Sequence, residues 1–239
     1  MEQDKKYKKI TSDINFLMKK CYYLKEKFLG CYMSTKEILE KQAREDAINQ
    51  ILKTSSLRFD GTHETVFESG FTSEMNNSCF FEFDSFMLEC KRSIDYIIKA
   101  IRFWLGFKDI MKKGKGTESF FKSLNPDFKE NRREDCIKII KIYPDFANFL
   151  WYEWGRWIKK LHKYRTISVH NYIPNHVHGK IKVFWNSVAQ KDSPSEVTLD
   201  GIFLDGENIE DYVKKTLSDL ASFDAYVYGF SGKIDSLQT

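Results

Sequence analysis

The chain has 239 residues and a mass of 28.3 kDa, with 42% hydrophobic and 15% aromatic side chains, enough apolar material for a sizeable core and too much for a disordered chain. Twelve glycines against four prolines, with no fixed-period repeat, exclude collagen-like, propeller and solenoid architectures. The formal net charge of +4 is too small to announce a nucleic-acid partner by itself.

In chain order, Met1 to Lys9 form a polar, lysine-rich opening with no apolar signal core behind it, and no apolar run reaches the roughly 18 residues of a membrane span. A soluble, cytoplasmic protein with no membrane partner is expected. Ile10, Ile14, Leu17, Cys21, Leu24 and Phe28 recur every three or four residues and predict an amphipathic helix ending near Gly30. Ser34 with Glu37 then has the form of a capping box that starts a second helix through Leu39, Ala43, Ala47 and Ile51. From Thr54 to Gly70 the periodicity is lost, which predicts a polar connection.

The longest stripe runs from Phe83 through Phe86, Met87, Cys90, Ile94, Ile97, Ile98 and Ile101 to Leu105 and predicts the central core helix. Lys112 to Gly116 breaks it. Helical spacing returns from Arg132 to Ile142, and after Pro144 a further long helix is marked by Phe146, Leu150, Trp154, Trp157 and Leu161. Beyond Pro174 the period changes to two, with strands predicted around Ile181–Trp185 and Val197–Leu204 and a turn at Lys191–Ser195. Asp205-Gly206 ends the second strand, and Ile209, Val213, Leu217, Leu220, Phe223 and Val227 predict a closing helix. The expected fold is mainly α: a helical bundle over residues 1–173, with a β-hairpin and helix over 174–239 packed on it as an appendage.

The five cysteines, Cys21, Cys31, Cys79, Cys90 and Cys136, are odd in number and include no C-x-x-C pair, which fits a reducing compartment. Charge is uneven along the chain. Arg156, Lys159, Lys160, Lys163 and Arg165 form a basic run without an acid, whereas Asp192 to Asp224 carries nine acids against Lys214 and Lys215. A polyanion such as RNA is drawn to the first segment and repelled by the second.

That basic run leads into Arg165-x4-His170-x-Tyr172. An arginine can fork onto two phosphate oxygens, and a histidine titrates near neutral pH, so one residue can anchor an anion while the other moves a proton. On one straight helix, five residues turn through about 500°, which puts Arg165 and His170 roughly 140° apart. Convergence requires a helix break near Thr166, Ile167 and Val169, or a second copy of the motif across a twofold axis.

At these residues the chain resembles the HEPN superfamily, and its Arg-x4-His-x-Tyr form is similar to the HEPN toxins paired with nucleotidyltransferase antitoxins. The resemblance covers the motif and the helices of about residues 75–173. Length and the C-terminal β-hairpin set the chain apart from the compact toxins and suggest a larger subgroup. The resemblance implies a HEPN-like core and a homodimer-interface cleft acting as a metal-independent endoribonuclease. In that cleft Arg165 and His170 are catalytic, Tyr172 is a modification or support residue, and an acid of the central helix, Asp84 or Glu89, reaches Arg165. It also implies RNA as substrate, cleavage by the ribose 2′-hydroxyl to cyclic phosphate ends, no cofactor, and a nucleotidyltransferase-type antitoxin as a partner. Arg156, Lys159, Lys160 and Lys163 are the candidate RNA-binding residues. The alternative is a HEPN-like module that binds RNA, nucleotide or a partner protein without cleaving.

His162, His170, His176 and His178 cluster in sequence, but no H-E-x-x-H pattern or nearby cysteine accompanies them, and no metal is expected. Trp151, Trp154 and Trp157 recur every third residue, as in core or interface packing.

Overall fold

The computed structural model describes residues 2–53, 62–70, 73–107, 116–128, 132–170, 177–186, 196–204 and 206–237. It is mainly helical, with a small antiparallel sheet and a C-terminal helix. The elements are α1 (Glu2–Lys53), β1 (Thr62–Gly70), α2 (Ser73–Trp104), α3 (Thr117–Leu124), α4 (Glu134–Ile142), α5 (Pro144–Glu153), α6 (Lys159–His170), β2 (Val177–Asn186), β3 (Glu196–Leu204), β4 (Glu207–Asn208) and α7 (Ile209–Leu237). A π-helical turn, Trp154–Ile158, joins α5 to α6.

Three features differ from the sequence expectation. First, α1 does not end near Gly30. The Ser34 hydroxyl donates to the Gly30 carbonyl at 3.2 Å, a bond back onto the preceding turn rather than a cap. The apolar stripe carries on through Phe28, Tyr32 and Leu39, all buried, and that burial outweighs the ~0.5–1 kcal/mol a mid-helix glycine costs. Second, the segment expected to be a polar connection contains β1. Third, a short helix, α3, follows the break after α2.

The chain folds into two compact units, one from residues 1–24, 84–171 and 215–239 and the other from residues 25–83 and 172–214. In the second unit the expected hairpin β2–β3 is extended on both sides, giving the strand order β1-β2-β3-β4, antiparallel throughout. Thr62 pairs with Asn186 and Gly70 with His178, and a register shift falls between Lys180 and Ile181. Phe28 packs against Tyr32 and Phe83, with ring centroids 5.9 and 5.8 Å apart, and the Ile202 amide donates to the Tyr32 hydroxyl at 3.4 Å. At Gly201 a Cβ would collide with Nδ2 of Asn208. Asn208 is the N-cap of α7, its Oδ1 accepting from the amides of Glu210 at 2.9 Å and Asp211 at 3.4 Å.

In the first unit, the stripe of α2 from Phe86 to Ile101 is fully sequestered, as are Phe120 and Phe121 of α3, Ile139 of α4, Leu150 of α5, Leu161 of α6 and Leu220 of α7. Stacked rings fasten the layers: Phe121 on Trp154 at 5.0 Å and Phe146 on Phe230 at 3.8 Å. A buried ionic knot fixes the start of α4. Asp135 takes Arg133 Nη2 at 2.8 Å and Arg102 Nε at 2.7 Å, tying α4 to the end of α2. All five cysteines are free thiols.

Candidate functional site

Arg165 lies on α6, half-buried, in the first unit. Its Nε is buried without a hydrogen-bond partner among the described residues. Asp84 of α2 feels its positive charge: burial pushes the Asp84 carboxyl up, and Arg165 pulls it back down. Glu89, the other candidate partner, is occupied elsewhere. Its Oε1 holds Lys20 Nζ at 2.6 Å and Arg92 Nη1 at 2.9 Å. Of the two acids that the motif left open, the structure sets Asp84 in the field of Arg165.

Of the two routes to convergence, a helix break near Thr166 is not taken. α6 continues through Thr166, Ile167 and Val169 to His170, and the Thr166 hydroxyl donates to the His162 carbonyl at 2.9 Å within the same ladder. The backbone therefore sets Arg165 and His170 roughly 140° apart around the axis. The His170 side chain and all of Tyr172 lie outside the described residues, as do the side chains of His176 and His178.

The side chain that does share a face with Arg165 is His162, one turn earlier at i−3. Its Nε2 is 3.3 Å from Oε2 of Glu118 on α3, and its Nδ1 is buried without a partner among the described residues. Trp154 of the π turn lies 6.1 Å from it, ring to ring. Burial lowers the His162 pKa below the ordinary histidine value, the charges of Lys91 and Arg165 lower it further, and Glu118 opposes them. Lys91 is in turn held by Asp95 Oδ1 at 2.6 Å and Thr117 Oγ1 at 2.9 Å, and Thr117 also bonds Asp95. Packing of α2, α3 and α6 thus gathers Asp84, Lys91, Glu118, His162 and Arg165 into one partly desolvated polar cluster. His162-x-x-Arg165 is visible in the sequence as an i, i+3 pair. Glu118 and Lys91 leave no such local signal.

The basic run divides by role. Arg156, on the π turn, is engaged internally, with Nη2 2.7 Å from Glu153 Oε2 and Nη1 2.7 Å from Asp219 Oδ1. These bonds hold its guanidinium charged, Glu153 contributing most. Lys159, Lys160 and Lys163 are exposed on α6, the last two with their ammonium groups 5.7 and 6.0 Å from the Tyr164 ring centre. Lys159, Lys160 and Lys163 therefore place positive charge along the exposed side of α6.

Among the described residues no group of three or more His, Cys, Asp or Glu side chains is placed to hold a metal ion, and no helix is long and apolar enough to cross a membrane. Comparison with protein-family models, with curated proteins and with solved structures finds no match.

Proposed function

We propose that the chain is a metal-independent endoribonuclease of the HEPN type, with Arg165 as the residue that grips the scissile phosphate. The observation that supports this reading is the Arg165 guanidinium: half-buried, its Nε without a partner among the described residues, in the field of Asp84 of the central helix and followed by His170 on a lysine-bearing helix. In this reading Arg165 stabilises the charge that develops on the phosphate oxygens, and His170 relays the proton as the ribose 2′-hydroxyl attacks. Because one α6 separates the two by about 140°, the cleft is completed by a second copy of the chain, each helix supplying a face to the other. A nucleotidyltransferase-type antitoxin acting on Tyr172 belongs to the same reading.

The unbroken α6 favours one further reading, an RNA- or nucleotide-binding module that does not cleave. Incubating the purified protein with mixed RNA and with DNA of the same sequence, in EDTA, separates the two. The nuclease reading expects RNA fragments with cyclic phosphate ends, intact DNA, and a loss of about 10²-fold or more for Arg165→Ala and for His170→Ala. Cleavage of DNA, or cleavage that stops in EDTA and returns with Mn²⁺, overturns it. RNA that binds uncut and is released by Arg165→Ala establishes the binding module instead.

A further inference from the structure

A second polar feature lies in the first unit, on different residues of α1, α2 and α7. There a cavity of about 240 Å³ is bounded by Ile14 and Asn15 of α1, Ile97 and Trp104 of α2, and Asp224 and Tyr228 of α7. Its walls are mostly apolar or aromatic, with few polar groups, the composition usual for small-molecule sites.

Among the described residues of that lining Asp224 is the only acid, and no lysine, arginine or histidine accompanies it. The described structure gives its carboxyl no ion pair. Burial alone pushes its pKa up, with no cation to offset the cost. Trp104 and Tyr228 add aromatic walls to the cavity. A lone carboxylate repels anions and leaves half its potential unused on a neutral ligand. A cation satisfies it, and aromatic faces add to the attraction.

We propose that this cavity binds a small organic amine. Its ammonium group sits on Asp224 beside Tyr228, and its hydrocarbon part lies against Ile14 and Ile97. Asn15 offers an amide to either end.

The site is independent of the Arg165 cluster and stands whether or not the chain cleaves RNA. Three probes that share a phenoxy group test it by calorimetry on the full chain: 2-phenoxyethylamine, neutral 2-phenoxyethanol and anionic phenoxyacetate. The amine is expected to bind about tenfold or more tightly than the alcohol, and the acid not at all. Asp224→Asn is expected to remove the advantage of the amine while leaving the alcohol unchanged. In the wild-type chain, the amine should weaken as pH falls and Asp224 takes up its proton, whereas the alcohol should not. Equal affinity for amine and alcohol, an amine affinity insensitive to pH, or no binding by any probe would overturn the proposal. Should Asp224→Asn fail to fold, the wild-type pH comparison decides alone.

Discussion

His162 and Arg165 stand one turn apart on α6, where burial above all holds the half-buried imidazole toward its neutral form and the guanidinium adds to it. Lys91 acts in the same direction, and Glu118, 3.3 Å away, acts against both. A histidine whose folded pKa is lowered binds its proton more readily in the unfolded chain. Stability is then complete above the unfolded value of about 6.5 and declines as pH falls below it. Denaturant midpoints between pH 8 and pH 5 should fall more steeply for the wild type than for His162→Gln. Parallel curves would mean that His162 titrates as an ordinary exposed imidazole.

Asp84 follows the opposite sign. Its carboxyl is raised, so the folded state prefers it protonated, and stability is lost as pH rises through the folded value. Asp84→Asn is expected to be as stable as the wild type near pH 4 and at least as stable above pH 6. A loss of more than about 1 kcal/mol at pH 7 would instead show that the ionised Asp84 is a net stabilising partner of Arg165.

Glu153 is 7% exposed, and its Oε2 accepts from Trp157 Nε1 at 2.5 Å as well as from Arg156. Glu153→Leu takes one of two carboxylates from the exposed Arg156, which keeps Asp219, and strands the indole hydrogen of the buried Trp157. The expected cost is about 1–3 kcal/mol, read as a lower denaturation midpoint with an unchanged slope. A cost below about 1 kcal/mol would mean that solvent replaces both bonds.

Gly201→Ala places a methyl group on the Asn208 side chain, which is already committed to capping α7. Loss of that cap predicts a destabilisation of about 1–2 kcal/mol, and Asn208→Ala should cost nearly as much. The double variant should be less than additive, because both changes remove the same cap. Full additivity would separate the two effects.

The long helices could be read from the sequence because each buries a continuous stripe: Phe83 to Leu105 keeps its spacing for over six turns, and the structure sequesters it. What could not be read depends on partners far along the chain. β1 becomes a strand by pairing with β2, Thr62 meeting Asn186, and no local period announces that. The capping box at Ser34 was legible and unused, since burial on both sides of Gly30 keeps the helix going. At the site, Arg165 was legible as a motif residue. His162 stood beside it in the sequence but is singled out only by α3, which brings Glu118 to it.

The π turn at Trp154–Ile158 gives the basic helix its phase. A π turn holds one residue more than the α-helical turn it replaces, and each residue of an α-helix advances about 100° around the axis. Excising one residue from the turn would let α5 run straight into α6 and rotate everything beyond it by that angle. His162 and Arg165 would leave Glu118 and Asp84, and the lysines that now face solvent would swing toward the interior. The single extra residue in the turn works as an angular offset, which allows Trp154 and Trp157 to stay buried while Lys159 and Lys163 stay outside.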